Sequence, residues 1–403
     1  MVRSVAVLTL DPWCNRLHGS SIIDMFLHLA NLGYTVTIIM PFETDGLLIT
    51  ECKSGKGLRI IKVKIKNIPI VSYVILMYRF LNYLDYVKPD VVILDLFLLP
   101  MYLVYSTLRR EHVTTIILIL SRPVMTKGLR GILINLFFRV YLILSKLVAD
   151  AITAISPFEA FEFSRLGKLQ KSKLIVLPSP LGKVFVEQER DIDVDKLSFT
   201  LKHVLYDPNM NLSNKVVLLY HGALDEERGV LKLVEAFVSE FGNNDDFLLL
   251  LVGYGNARTK IEEYIRMLKI KNIIVIPPIP YSEVPSLISL CSVGLLPLPP
   301  HEWWQYQTPT KLLEFISLGK PVIASNLAGI RWISKLVSPF PVILVNEWNG
   351  RTLRGSIEKL IRMQLQDQLK LQARQRIVEY FSSKSLAYRL KRLIENLMES
   401  KNL

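Results

Sequence analysis

Cysteine is scarce in this chain, and its scarcity excludes two kinds of protein. The 403 residues include only Cys14, Cys52 and Cys291, an odd number at scattered positions. Neither a disulfide framework nor a zinc site of thiolate ligands can be built from such a set. Because few and scattered cysteines are typical of reducing compartments, we expect a cytoplasmic protein.

Long apolar runs are missing too, although half of the residues are hydrophobic and the mean hydropathy is +0.31. No stretch reaches the roughly 18 to 20 uncharged apolar residues that a helix needs to span a bilayer. The first residues, MVRSVAVLTLDPW, predict a buried strand and lack the cleavage region of a signal peptide.

Acidic residues are fewer than basic ones, with 36 Asp and Glu against 49 Lys and Arg, so the net charge is +13. Residues 1–190 hold 23 basic and 14 acidic residues, whereas the remainder holds 26 and 22. A basic first half predicts an anionic partner, such as a phospholipid surface, a lipid phosphate or a nucleic acid. A basic surface that only aids solubility is the alternative.

Several catalytic motifs are absent as well. The sequence has no Ser-His-Asp arrangement, zinc-ligand spacing or ATP phosphate-loop motif. Asp191, Asp193 and Asp195 resemble a metal-binding Asp-x-Asp run, but they lie in the polar stretch at residues 186–214. We interpret that stretch as a solvated interdomain linker and predict no metal site.

The sequence does contain a regular alternation of strand-like and helix-like segments on both sides of the linker. This alternation predicts two doubly wound parallel sheets with ligands at the carboxyl ends of their strands. The predicted strands are residues 4–10, 34–40, 59–66, 89–95, 114–120, 149–156 and 173–180, then 215–220, 247–252, 272–276, 293–298 and 321–325.

The most informative stretch is QYQTPTKLLEFISLGKPVIAS, residues 305–325. Thr308 is a good N-cap and Pro309 a good first residue of a helix. We expect a helix from there to Leu318, with Gly319 in the left-handed conformation as its stop. The strand PVIAS then returns the chain to a sheet.

The first turn of this helix predicts an anion site. Its free backbone N–H groups and the positive end of the helix dipole stabilise a phosphate, and Lys311 adds a full positive charge. Glu314 lies three residues further on the same face, where a carboxylate can accept hydrogen bonds from a ribose diol. An ordinary amphipathic helix between strands is the alternative.

These residues resemble the C-terminal signature of retaining glycosyltransferases of family 4, which have the GT-B fold. The resemblance implies an α/β protein of two Rossmann-like doubly wound domains facing a cleft, here residues 1–185 and 215–384 with the linker 186–214 between them. It implies a nucleotide sugar on the second domain and a C-terminal helix, within residues 385–403, that crosses back to the first.

The match is incomplete at one position. The family pattern has two glutamates separated by seven residues, and Glu314 matches the second, which implies ribose binding. Tyr306 stands in place of the first glutamate and so joins the candidates on the sugar side. Some family members with Pro-x-Lys before the second glutamate also lack the first, and Glu302 could supply the missing carboxylate.

Further matches imply the rest of the donor site. The chain after KVVLLY resembles the family's Gly-Arg-Leu…Lys-Gly motif, with Ala223 in place of the arginine and Arg228 in place of the phosphate-binding lysine. Arg228 and Lys311 would stabilise the departing diphosphate, with no metal required. The implied donor-binding residues are Gly222, Arg228, Gly253, Pro278, Ile279, Thr308, Lys311, Leu312 and Glu314. For Arg228 the alternative is a surface ion pair with Glu226 or Glu227. We expect His221 to be a satisfied strand-end histidine, and a catalytic or phosphate-binding role is the alternative.

Residues on the acceptor and sugar side match the family less closely. The glycine-rich first loop of the family matches HGSS, with Gly19 in place. Ser121 and Arg122 stand where family members often have a histidine. The adjacent Trp303 and Trp304 either stack on the apolar face of a sugar or pack at a domain interface.

The implied function is transfer of a hexosyl residue, with retention, from a nucleotide diphosphate sugar to an acceptor hydroxyl, without a cofactor. Lys62, Lys64 and Lys66, beside apolar helices at residues 71–86 and 129–147, predict docking on an anionic membrane. The acceptor would be a lipid-linked glycan, and the enzyme would be peripheral on the inner face of the cell membrane. Burial of both helices against the sheet is the alternative.

Three other functions stay open. A nucleotide-sugar 2-epimerase on the same fold would need acid and base groups near the sugar, where His and Glu are sparse. A non-catalytic GT-B partner protein is favoured by the missing glutamate and histidine and opposed by the intact TPTKLLE and RG segments. DNA glucosylation rests on charge alone, so nucleic acid is not the expected partner.

Overall fold

The chain divides into two compact units in this structure, a computed structural model. The first unit comprises Met1–Lys183 together with Tyr380–Leu403, and the second comprises Val184–Glu379. The predicted linker, residues 186–214, lies almost wholly outside the described part of the chain. The structure describes residues 3–11, 13, 19–42, 56–64, 69–109, 113–120, 129–187 and 214–401.

Strands and helices alternate through both units. The strands are β1 (Arg3–Leu8), β2 (Tyr34–Phe42), β3 (Leu58–Lys64), β4 (Val91–Asp95), β5 (Thr114–Leu118), β6 (Ala151–Ala154), β7 (Leu174–Val176), β8 (Val216–His221), β9 (Phe247–Val252), β10 (Ile273–Ile276), β11 (Val293–Leu296), β12 (Val322–Ser325) and β13 (Val342–Val345). The helices are α1 (Gly19–Asn31), α2 (Pro69–Val87), α3 (Leu99–Arg109), α4 (Leu129–Leu144), α5 (Pro157–Gly167), α6 (Lys183–Val186), α7 (Val230–Phe241), α8 (Arg258–Met267), α9 (Val284–Leu290), α10 (Glu302–Gln305), α11 (Thr310–Ser317), α12 (Ala328–Leu336), α13 (Gly350–Arg362), α14 (Asp367–Phe381) and α15 (Ser383–Lys401).

The first unit is built on a parallel sheet whose described strands run in the order β3-β2-β1-β4-β5-β6-β7. Val5 of β1 lies in register with Val36 of β2 on one side and Val91 of β4 on the other. Alternate residues of β1 enter two separate buried clusters, one on each face of the sheet. Val5 and Val7 belong to one cluster, and Ala6 and Leu8 belong to the other. Because both faces are covered, the strands read as continuous apolar runs.

The second unit repeats this plan with the described strands in the order β10-β9-β8-β11-β12-β13, again all parallel. Its edge strand β13 was not predicted. The predicted two parallel α/β sheets are confirmed.

In each sheet the strand order reverses once, between β1 and β4 in the first unit and between β8 and β11 in the second. Ligands of doubly wound folds bind beyond the carboxyl ends of the strands at such a switch point. The residues that follow β1 and β4, and those that follow β8 and β11, are therefore placed to meet a ligand.

The C-terminal helix α15 packs on α1 within the first unit, as the family resemblance implies. Leu386, Leu390 and Ile394 enter the buried cluster that also holds the apolar face of α1. The hydroxyl of Ser383 donates to the carbonyl oxygen of Ser21 at 2.8 Å. The helix joins the first unit because its amphipathic pattern supplies the side chains that cover this face of the sheet.

The two apolar helices of the first unit differ in burial. The helix predicted at residues 71–86 is α2, which buries Leu76, Met77 and Phe80 against the sheet but leaves Val74 and Tyr78 exposed. The helix predicted at 129–147 is α4 and its short extension, which leave many apolar side chains exposed. Among the helices that the structure describes, none combines the length and the hydropathy of a bilayer crossing.

Candidate nucleotide-binding site

Two glycine turns and one lysine converge at the carboxyl edge of the second sheet. Gly222 follows β8 with φ 116°, and Gly253 follows β9 with φ 147°, so both backbones favour glycine. A Cβ atom on Gly253 would overlap the carbonyl oxygen of Gly222. A Cβ atom on Gly222 would overlap the side chain of Lys311. The two glycines thus let Lys311 lie directly on the turn that follows β8.

Lys311 lies in the first turn of α11, but the predicted cap of that helix is wrong. The helix begins at Thr310, and Pro309 is its N-cap, with ψ at 122° and its carbonyl oxygen 3.0 Å from the N–H group of Leu312. The fixed φ of proline is compatible with this extended cap conformation, so the helix starts one residue later than predicted. Thr308 is instead buried, and its hydroxyl has no hydrogen-bond partner within the described residues.

The end of the same helix agrees with the prediction to within one residue. Gly319 has φ at 69°, and its N–H group bonds the carbonyl oxygen of Ile316 at 2.9 Å. The N–H group of Lys320 bonds the carbonyl oxygen of Phe315 at 3.0 Å, which completes a Schellman motif. Glycine at this position therefore returns the chain directly into β12.

Glu314, predicted to bind ribose, is buried beside two groups that the sequence did not assign to the site. The hydroxyl of Tyr281 donates to Glu314 Oε1 at 2.9 Å, and His221 Nε2 lies 3.3 Å from Glu314 Oε2. Burial raises the pKa of Glu314 to about 7, while the charge of Lys311 and the bond from Tyr281 act in the opposite direction. Each carboxylate oxygen therefore already faces one protein group.

The two cationic side chains of the site act on each other. Burial, together with the charge of Arg228, lowers the pKa of Lys311 to about 8, although Glu314 acts in the opposite direction. A bound anion between Arg228 and Lys311 would relieve this repulsion. The geometry thus supplies two positive groups that lack sufficient counter-charge and a helix N-terminus beside them.

Arg228 is held by neighbours other than the predicted ones. Its Nε lies 3.6 Å from Asp225 Oδ2, whereas Glu226 pairs with Lys260. The guanidinium carbon lies 5.1 Å from the centre of the Trp304 ring, a cation–π distance. Trp304 is itself anchored, because its Nε1 donates to the carbonyl oxygen of Glu227 at 3.2 Å. Trp304 therefore positions Arg228.

The remaining donor-side candidates divide into exposed and buried groups. Pro278 is exposed and Ile279 half-buried in the segment that leads from β10 to Tyr281. The side chain of Leu312 is fully buried, so only its backbone could face a ligand. The reason is the helical period, which turns position 312 toward the sheet.

The sugar-side candidates are not brought together within the described residues. Gly19 begins α1, and Ser121 and Arg122 lie outside the described residues. Trp303 and Tyr306 are half-buried, and the ring of Trp303 meets that of His301 edge-on at 4.9 Å. No group of three or more His, Cys, Asp or Glu side chains within the described ranges could hold a metal ion.

Comparisons with known proteins agree with this geometry. Residues 215–362 match the family described as Glycosyl transferases group 1. TuaH of Bacillus subtilis (strain 168), named as a glycosyltransferase of teichuronic acid biosynthesis, is 32% identical over 95 residues. That match covers 24% of this chain and 23% of the relative.

Similar solved structures cover nearly the whole chain. Anabaena Alr3699/HepE in complex with UDP has a TM-score of 0.70 at 13% identity. The match covers 98% of this chain and 100% of the HepE chain. WaaG, a glycosyltransferase involved in lipopolysaccharide biosynthesis, has a TM-score of 0.64 at 16% identity. The match covers 97% of this chain and 99% of the WaaG chain. The chain has the GT-B fold. The predicted GT-B fold is confirmed, and the predicted transferase is supported.

His221 and Tyr281 are the residues that sequence reasoning missed. His221 carried a weak signal, since it ends a strand at the predicted ligand edge. Tyr281 carried none, because it lies 33 positions from Glu314 and only the fold brings its hydroxyl to the carboxylate.

Proposed function

We propose that this GT-B protein is a retaining glycosyltransferase of the family 4 kind. It moves a hexosyl residue from a nucleotide diphosphate sugar to an acceptor hydroxyl. The observation that carries the proposal is the seating of Lys311, in the first turn of α11, on the Gly222 turn after β8, which the Gly253 turn after β9 packs against. That the neighbour HepE forms complexes with UDP and UDP-glucose supports a nucleotide sugar as the donor.

The cationic cluster binds and stabilises the diphosphate. Lys311 and Arg228 supply the charges, and Arg228 offers a fork that suits two phosphate oxygens. The N-terminus of α11 adds the positive end of its dipole. Negative charge grows on the diphosphate as the sugar departs, so these groups stabilise the transition state more than the ground state. The reaction therefore needs no metal.

Glu314 reads the ribose once its present partners rearrange. The hydroxyl of Tyr281 now occupies one carboxylate oxygen, and His221 lies beside the other. A ribose diol would share or displace the Tyr281 bond and so keep the buried carboxylate satisfied. Tyr306 stands where the family has a glutamate beside the sugar. We therefore propose a retaining reaction without an enzyme nucleophile, in which the donor phosphate accepts the acceptor's proton.

The acceptor is proposed to be a lipid-linked glycan, reached from an anionic membrane surface. The apolar face of α4 is exposed at Ile132 (65%), Leu136 (54%) and Ile143 (45%). The exposed Arg139 lies on the same helix and the exposed Lys146 on its short 3₁₀ extension, so basic residues accompany the apolar face. This combination fits the interface of an anionic bilayer. The names of TuaH and WaaG, which refer to surface glycans, support an acceptor of this class.

Transfer of radiolabelled sugar from a panel of nucleotide sugars tests the proposal. We expect turnover or slow donor hydrolysis with one donor, and we expect it to persist in excess EDTA. Loss of activity on chelation, with recovery on addition of magnesium or manganese, would contradict the metal-free mechanism. Release of an altered nucleotide sugar, without transfer or hydrolysis, would identify a 2-epimerase.

A further inference from the structure

A cavity of about 270 Å³ lies at the carboxyl edge of the first sheet, where the strand order reverses between β1 and β4. Its wall is largely aliphatic and aromatic, and the rings of Trp13, Phe97 and Phe138 line it. Pockets for drug-sized ligands measure about 300–1,000 Å³, so this one suits a single sugar ring. All of its lining residues belong to the first unit.

Asp95, which ends β4, presents one carboxylate oxygen that no protein group uses. Its Oδ2 accepts from the Thr9 hydroxyl at 2.8 Å and from the Leu10 N–H group at 2.6 Å. The hydrogen bonds to Asp95 within the described residues all end on this oxygen. The side chain does not cap the short 3₁₀ turn that follows it. The other oxygen, Oδ1, is thereby left as an acceptor in a residue that lines the cavity.

Trp13 contributes an unsatisfied donor to the same cavity wall. Its side chain is 1% exposed and stacks on Phe26 with the ring centres 5.9 Å apart. The indole Nε1 is buried, with no hydrogen-bond partner in the part of the chain that the structure describes. A buried N–H group normally finds a partner, so this donor points to a ligand oxygen.

The charges of the cavity select against anions. Asp11 and Asp95 both line it, and the described residues of its lining include no Lys or Arg. Burial, together with the charge of Asp11, raises the pKa of Asp95 to about 7. An uncharged sugar ring satisfies all three features, because its apolar face packs on aromatic rings and its hydroxyl groups both donate and accept.

We propose that this cavity is the acceptor subsite and binds an uncharged sugar ring, with one hydroxyl donating to Asp95 Oδ1 and a ligand oxygen accepting from Trp13 Nε1. The assignment to the acceptor rests on the function proposed above. The binding of a neutral sugar in this cavity does not.

The structure offers a closely matched control. Asp90, at the amino end of the same strand, also uses Oδ2 to accept an N–H group and a hydroxyl, both from Ser4, at 2.7 and 3.0 Å. Asp90→Asn therefore makes the same chemical change in a similar bonding pattern, but away from the cavity. Trp13→Phe keeps the apolar ring and removes only the indole donor.

The experiment measures binding of methyl glycosides of glucose, galactose, mannose and N-acetylglucosamine by saturation-transfer NMR, with methyl glucuronide as the anionic probe. We expect at least one neutral glycoside to bind the wild type and the Asp90→Asn protein equally. Asp95→Asn should weaken that binding about tenfold, the value of one charge-assisted hydrogen bond. Trp13→Phe should weaken it several-fold. The wild-type affinity should rise between pH 6 and 8 as Asp95 ionises, and this rise should vanish in Asp95→Asn.

UDP binding, measured on the same samples by calorimetry, separates the two proposals. If UDP binds but no neutral glycoside does, or if Asp95→Asn binds the glycosides as tightly as wild type, the cavity proposal is wrong and the donor site stands. Equal binding of methyl glucuronide would also overturn it. If UDP fails to bind while glycoside binding depends on Asp95, the sugar site stands and the proposed transfer does not.

Discussion

The two units share one architecture, yet they place opposite charges at the carboxyl edges of their sheets. In the first, Asp11 and Asp95 line an aromatic cavity at the switch point. In the second, Lys311 and Arg228 lie beside glycine turns, and each cation disfavours the other. Because the backbone plan is the same, a few side chains at the strand ends, and not the fold, decide what each unit binds.

The two units also differ in how their exposed apolar side chains are distributed over the surface. In the first unit, α4 exposes several apolar side chains along one helix, among them Ile132, Leu136 and Ile143. The exposed apolar residues of the second, such as Met267, Ile361 and Leu371, lie on three different helices and form no such face. Isolated exposed apolar residues are normal, whereas a continuous face indicates a partner.

The largest expected effect tests the difference in charge between the units, and it comes from removing one cationic side chain of the second unit. Lys311→Ala should weaken UDP binding, measured by calorimetry, by roughly ten- to hundredfold, because one charge-assisted contact is worth about 1.5–3 kcal/mol. Arg228→Ala should act in the same direction. Lys359→Ala removes an exposed lysine from the last turn of α13 and should leave UDP affinity unchanged.

Two further samples make this measurement more specific. Glu314→Gln should weaken UDP binding but not the binding of inorganic pyrophosphate, which has no ribose. Asp95→Asn should leave UDP affinity intact, since its carboxylate belongs to the other unit. Unchanged UDP affinity in Lys311→Ala, Arg228→Ala and Glu314→Gln would overturn the donor-site assignment.

The next largest effect concerns the surfaces and is measured by flotation with anionic vesicles at low salt. Wild type should float, and changing Ile132, Leu136 and Ile143 of α4 together to Gln should reduce the bound fraction several-fold. The same change at Met267, Ile361 and Leu371 should have no effect. Changing Lys62, Lys64 and Lys66 together to Glu should weaken vesicle binding by about 1 kcal/mol for each of these residues that lies near the lipid. A wild type that stays with the soluble fraction would indicate a soluble acceptor.

The smallest expected effect is the number of protons taken up or released when UDP binds. A bound diphosphate favours charged Lys311, so UDP binding should raise a pKa of about 8 and take up protons near pH 8. A ribose diol favours ionised Glu314, so binding should lower a pKa of about 7 and release protons near pH 7. Calorimetry in buffers of different ionisation enthalpy should therefore show release at the lower pH and uptake at the higher. Lys311→Met should abolish the uptake and keep the release, and uptake that persists in this variant would exclude Lys311 as its source.

The amino-acid sequence by itself predicted the features that depend on local pattern. Apolar runs indicated both parallel sheets, and the amphipathic C-terminal segment indicated the helix that joins the first unit. Gly319 was predicted as a helix stop because only the left-handed conformation closes the Schellman motif there. Lys311 was placed correctly in a first turn because the position of a helix start depends on neighbouring residues, although its cap is Pro309 and not Thr308.

Only the tertiary structure decided the features that join distant residues. It brought Tyr281 and His221 to Glu314, placed Trp304 beneath Arg228, and left apolar side chains of α4 exposed. It also formed the cavity at Asp95, whose described lining comes from β4, β5 and α4 and from the segments that follow β1, β4 and β5. Hydrophobic periodicity records which face of an element is apolar, but which partner covers that face, and which polar group meets a buried carboxylate, depends on packing between elements far apart in the chain.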